Sequence, residues 1–224
     1  MLEGFAGQLV LYMSENPLTI PSQKEILVHF DRNDLIIAKV IRQVGPMKLK
    51  RNRNYFVVLC KAIIAQQISV AAADTITSRF NDLFNLKSPT PKEVINLSDK
   101  ILKGVGLSRQ KVSYLKDLSA HFHEKKLRPR RLNCMSNEEV IEQLTAVHGI
   151  GRWTAEMFLI FSLNRPDVLP VGDLGLQLGL KKLYRMRKLP TVKRMRSLGK
   201  KWHPLETVAT WYAWRTQDEN IVAY

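Results

Sequence analysis

Residues 144–156 read Leu-Thr-Ala-Val-His-Gly-Ile-Gly-Arg-Trp-Thr-Ala-Glu, and this stretch decides the fold. The pattern predicts a helix ending near Val147, a tight turn at Gly149-Ile150-Gly151, and a second helix from about Trp153 to Leu163. Two glycines one residue apart permit positive φ and let another backbone approach closely. The amide groups of the turn then lie at the start of the second helix, where unsatisfied donors and the helix dipole attract an anion. The plainer reading is a helix–turn–helix corner whose glycines only end one helix and begin the next.

Working outward, helical signals dominate. Residues 33–44 space apolar side chains three and four apart and stop at Gly45-Pro46. Residues 54–66 form an apolar helix that breaks near Gln66-Gln67-Ile68, after which Ser69 caps a helix reaching about Phe84. Thr90-Pro91-Lys92-Glu93 and Ser136-Asn137-Glu138-Glu139 are capping boxes, the first with proline at the opening helical position. Residues 108–123 put Val112, Leu115, Leu118 and Phe122 on one face. Residues 9–13 and 26–30 are too short for periodicity to separate strand from helical turn. There is no solenoid repeat and no low-complexity segment, so the expected class is all-α.

Composition bounds the partners. The chain has 224 residues, 45% of them hydrophobic, enough for a core without metals or disulfides. Its 35 Lys and Arg against 20 Asp and Glu leave a net charge of +15, which favours a polyanion because neutralised phosphates release counterions. A soluble basic protein or a membrane-surface binder would carry the same surplus. Set beside that charge, the glycine turn reads as a DNA phosphate site, with Gly149, Ile150, Gly151, Arg152 and Thr154 as the contacting residues. Ten of the basic residues fall between Lys181 and Lys201 with no acid among them; smaller clusters lie at Lys48–Arg53 and Lys125–Arg131, the latter read as a solvated face. Cys60 and Cys134 form no CxxC pair and cannot supply an iron–sulfur cluster. No apolar run approaches the roughly 18 residues of a membrane span, and the N-terminus shows no targeting pattern. The expected setting is intracellular, without a membrane.

His148-Gly-Ile-Gly-Arg-Trp-Thr-Ala155, followed by Leu169-Pro-Val-Gly-Asp-Leu-Gly175, resembles the helix-hairpin-helix (HhH-GPD) DNA glycosylase superfamily with its Gly/Pro-rich loop and aspartate. Within it the chain is similar to the AlkA-type DNA-3-methyladenine glycosylases II. Ala65-Gln-Gln-Ile-Ser69 resembles the family's wedge loop, Gly106-Leu-Ser-Arg-Gln-Lys111 its mid-domain turn, and Trp202-His-Pro with Trp211-Tyr-Ala-Trp214 its C-terminal helix, so the likeness runs over residues 33–215. It implies two helical lobes flanking a DNA-binding cleft: a continuous lobe of 55–165 carrying the hairpin, about 144–156, and a second built from 1–54 and 166–224. It implies a monomer that acts on double-stranded DNA containing alkylated bases and hydrolyses the N-glycosidic bond of 3-methyladenine or 7-methylguanine in base excision repair.

The resemblance also assigns roles. Asp173 is the catalytic carboxylate; from local sequence alone it is first of all the N-cap of a helix over 174–184. Trp153, Trp214 and Met157 form the base pocket, where a cationic purine is attracted to electron-rich rings, although the aromatics at 211, 212 and 214 also suit simple core packing. Trp153 stands where strand-cutting relatives carry a lysine nucleophile, so no AP-lyase activity is expected. Gln67 is the wedge that fills the gap left by the flipped nucleotide, or else a polar helix breaker on the surface. The carbonyls of Thr145, Val147 and Ile150 are the expected ligands of a structural monovalent cation; no other cofactor is required. Met157, Arg215 and Glu206 depart from the pattern. The competing readings are a non-catalytic hairpin protein that binds damaged DNA and a glycosylase for deaminated or oxidised bases.

Overall fold

The computed structural model describes residues 20–84 and 88–217. Among them the regular structure is helical throughout, with no strand. Residues 26–30, short enough to suit either element, lie inside helix α1 (Gln23–Asn33), which buries Ile26, His29 and Phe30 at helical spacing. Residues 9–13 lie outside the described residues.

The chain divides into two compact units, one of residues 52–158 and one combining the residues up to Arg51 with those from Leu159 onward. The 52–158 unit begins with α3 (Tyr55–Ala65), capped by Asn54, and α4 (Val70–Asp82), capped by Ser69. Then come α5 (Pro91–Asn96), α6 (Asp99–Gly104), α7 (Arg109–His123), the single turn α8 (Pro129–Leu132) and α9 (Asn137–Thr145). Both expected capping boxes, at Thr90 and Ser136, are formed. Helix α7 packs on α3, α5 and α6, burying Val112, Leu115 and Leu118, while Phe122 is half-buried and meets Phe56 edge-on at 5.3 Å. Two of its lysines close the ends of its neighbours. Lys111 Nζ donates to Ile64 O (2.7 Å) at the end of α3, and Lys116 Nζ donates to Ile95 O (2.8 Å) and Leu97 O (2.5 Å) at the end of α5. Cations at helix C-termini satisfy orphan carbonyls and oppose the dipole.

The other unit holds α1, α2 (Leu35–Val44), α11 (Leu174–Leu183), α12 (Val192–Trp202) and α13 (Glu206–Arg215). Helix α13 is its axis: every residue from Glu206 to Trp214 is buried, and α2, α11 and α12 pack around it. Asp34 ties the unit together. It caps α2 by accepting from the amides of Ile36 and Ile37, and its other oxygen accepts from Trp202 Nε1 at 3.0 Å and from the Tyr184 hydroxyl. Burial and the adjacent Asp34 carboxylate push the Tyr184 hydroxyl pKa up, so it stays a donor. Helix α10 (Arg152–Phe161) runs across the sequence boundary between the units.

Candidate functional site

The glycine turn folds as its sequence dictates. Helix α9 ends at Thr145, the chain tightens through Val147 N–H to Leu144 O, and Ile150 N–H donates back to Val147 O at 3.1 Å. Gly149 has φ +89°, and a Cβ added there would lie 2.1 Å from Cδ2 of the Tyr114 ring; the position needs glycine both for its conformation and for its space. Asp117 on α7 pins the turn by accepting the His148 amide at 2.7 Å. The first intrahelical bond of α10 is Ala155 N–H to Gly151 O, so the amides ahead of it point out of the helix start, the geometry that draws an anion.

Of the residues expected to contact DNA here, Gly149 is half-buried, Gly151 is exposed, and Ile150 and Thr154 are buried, which leaves main-chain atoms as the contacting groups of the last two. Arg152 is exposed, but its guanidinium is engaged within the chain. It forks onto Glu138 (Nη1 to Oε2 3.0 Å, Nη2 to Oε1 2.5 Å) while Nε meets Glu156 Oε1 at 3.1 Å. These carboxylates hold the arginine protonated, and the arginine in turn pulls the Glu138 carboxyl below its ordinary range. Arg152 braces α9 against α10.

Thr145, Val147 and Ile150 line one open depression together with Asp117 and His148. Of the groups expected to hold a cation there, the Val147 carbonyl accepts the Ile150 amide and the neighbouring Asp117 carboxylate accepts the His148 amide. Carbonyl and carboxylate oxygens are the donor type a hard cation takes. The described residues contain no cluster of three or more His, Cys, Asp or Glu side chains able to hold a metal. Cys60 is buried, which pushes its thiol pKa up, and Cys134 is exposed.

Gln67 is exposed at the tip of the turn between α3 and α4, with φ +56°. Gln66 reaches the glycine turn instead: its Nε2 donates to Gly149 O at 2.8 Å. Nothing in the local pattern around 66 announces a partner 83 residues away. On α10, Trp153 is 41% exposed and Met157 half-buried; with Phe161 they recur every fourth residue and share one side of the helix.

Asp173 sits where Pro170-Val171-Gly172 turns into α11. Its Oδ1 accepts the Leu176 amide at 2.6 Å, as an N-cap, and Trp214 Nε1 at 2.8 Å. The residue is 8% exposed, beside an exposed Gly172. A Cβ at Gly175 would come within 3.1 Å of both Asp173 Oδ1 and Trp214 Cδ1, so this glycine makes room for the indole to reach the carboxylate. Trp214 is buried and stacks on Phe161, centroids 5.8 Å apart and planes 14° apart. The cap and the core packing expected of these two residues are therefore both present, and the same contacts make a fixed carboxylate–indole pair.

Two residues that depart from the family pattern are engaged by their neighbours. Arg215 lies over the Trp211 ring, 4.7 Å from its centroid. Glu206 opens α13 and is buried, with Oε1 3.0 Å from His203 Nδ1 and Oε2 without a hydrogen-bond partner among the described residues. Burial pushes its carboxyl pKa up.

Comparison with known proteins agrees on one lineage. A family described as HhH-GPD superfamily base excision DNA repair protein matches residues 60–204. DNA-3-methyladenine glycosylase 1 of Schizosaccharomyces pombe is 34% identical over 93% of this chain and 93% of its own length. Among solved structures, a DNA-3-methyladenine glycosidase from Bacillus halodurans superposes with a TM-score of 0.80 at 36% identity, covering 88% of this chain and 89% of that one. The Schizosaccharomyces pombe 3-methyladenine DNA glycosylase in complex with abasic DNA superposes at 0.76 and 34% identity, covering 86% and 96%.

Proposed function

Because the chain belongs to the HhH-GPD superfamily of base excision DNA repair proteins, we propose that it is a monofunctional DNA glycosylase that releases alkylated purines from duplex DNA. The relatives named for 3-methyladenine support that substrate class. Alkylation at N3 or N7 makes the purine cationic, so it leaves readily and is attracted to the faces of aromatic rings. Trp153, 41% exposed, and the half-buried Met157 supply that surface on α10, while the buried Trp214 holds the Asp173 carboxylate. As the base departs, positive charge develops on the deoxyribose, as in other glycoside cleavages. The carboxylate of Asp173 stabilises that charge and orients the attacking water.

One observation carries this reading: Asp173 Oδ1 is held by two donors of fixed direction, a main-chain amide and an indole N–H, so the carboxylate needs no reorganisation when the charge appears. The hairpin amides take the strand's phosphate, a contact that positions the protein without reading sequence. Gln67, at the exposed turn tip, enters the space left by the extruded nucleotide. The carbonyls of Thr145, Val147 and Ile150 would hold a monovalent cation, which supplies positive charge beside the phosphate. The protein works as a monomer.

Asp173→Asn tests the assignment. Asparagine keeps an oxygen that can accept from Leu176 and Trp214, so the fold and lesion-DNA affinity should persist while release of 3-methyladenine from methylated duplex falls by roughly 10³-fold. Release at the parent rate would end the assignment. Absence of release from methylated DNA by the parent protein, with release from hypoxanthine-containing DNA, would transfer it to deaminated bases.

A further inference from the structure

The basic stretch 181–201 separates, residue by residue, into cations that stabilise helices and cations that do not. Lys181 and Lys182 fall in the last turn of α11, and Lys200 and Lys201 in the last turn of α12, where positive charge opposes the dipole; Lys182 also donates to Thr216 O. The remaining six, Arg185, Arg187, Lys188, Lys193, Arg194 and Arg196, have no such role. Lys193 and Arg194 stand in the first turn of α12, which contains no acidic residue, so they face the positive end of the dipole, where a cation is unfavourable. All six are exposed, and none forms an ion pair with another described residue.

Helical geometry collects the α12 group on one face. Met195, Leu198, Gly199 and Trp202 are the buried side; at about 100° per residue Lys193, Arg194 and Arg196 project away from it. The turn that precedes them brings Arg185, held at φ +50°, a left-handed conformation that non-glycine residues adopt at a cost. Like charges this dense on one short segment repel one another and destabilise it unless a polyanion is present.

We propose that the 185–188 turn and the outer face of α12 form a phosphate-backbone contact surface for duplex DNA, additional to the glycine hairpin and independent of base damage. It belongs to the unit that carries Asp173, so each unit of the chain has its own grip on the polyanion. Repeated cations without an aromatic or amide reader suit sequence-independent, salt-sensitive binding.

The test compares two triple variants of equal charge loss on undamaged duplex DNA, followed by fluorescence anisotropy across a salt series. Lys193→Gln/Arg194→Gln/Arg196→Gln should lower the slope of log K against log salt by about 2–3, at roughly 0.9 for each phosphate no longer neutralised, and weaken binding tenfold or more at low salt. Arg128→Gln/Arg130→Gln/Arg131→Gln, on the α8 turn, should leave the slope near that of the parent. The single-turnover rate of base release at saturating protein should not change in the α12 variant. An unchanged slope in the α12 variant, or equal slope losses in both, would overturn the proposal. Because undamaged duplex is the ligand, this result is read whether or not the protein proves to be a glycosylase.

Discussion

Trp153, the second residue of α10, is where the resemblance places the lysine of strand-cutting relatives. The lone pair of an indole nitrogen belongs to its aromatic ring and does not attack the sugar. Borohydride added during turnover should therefore trap no covalent protein–DNA adduct; a trapped species of protein-plus-strand mass would show that another amine acts as nucleophile. Glu206 makes a different kind of prediction. Burial raises its carboxyl pKa in the fold, so the native state binds the proton more tightly than the unfolded chain does. Its contribution is fully present below the unfolded value and is lost as pH rises through the folded one. Glu206→Gln removes that loss: Tm should rise by a few degrees at pH 8 and by less at pH 5, a difference calorimetry would resolve.

Elements were legible where their signals are local. The capping boxes at Thr90 and Ser136 and the caps at Ser69 and Asp173 involve donors three residues away, so the sequence window that contains the cap contains its partner. The glycine turn was readable for the same reason. Its supports were not: Tyr114 under Gly149, Asp117 on the His148 amide and Gln66 on the Gly149 carbonyl arrive from 31 to 83 residues away, and no periodicity encodes them. Arg152 shows the same limit from the other side, since its fork onto Glu138 spans 14 residues and no local pattern encodes it. The element that depends most on a distant side chain should be the least tolerant. Gly149→Ala combines a strained left-handed backbone with a Cβ inside the Tyr114 ring, and should cost about 2–4 kcal/mol in denaturant unfolding, together with duplex affinity.

Across the whole molecule the surplus of +15 is not one quantity. Lys111 and Lys116 are structural, closing helix ends with their ammonium groups, whereas Arg187 and Lys188 are exposed without an ion-pair partner among the described residues. Lys116→Met should lower stability by about 1.5 kcal/mol, because two carbonyls lose a charged donor. Arg187→Gln removes the same charge and should leave Tm unchanged or slightly raised as repulsion is relieved; a loss equal to that of Lys116→Met would mean that Arg187 bonds locally as Lys116 does.

Asp34 and Asp173 are one construction used twice. Each carboxylate begins a helix and receives the ring N–H of a buried tryptophan, but only one is assigned chemistry. They differ in which oxygens serve. Asp34 meets its amides with Oδ1 and its ring donors with Oδ2, so asparagine there turns an NH2 onto a donor and should lower melting. Asparagine at 173 keeps the single oxygen that both donors use, and a turnover defect without a melting defect belongs to the reaction.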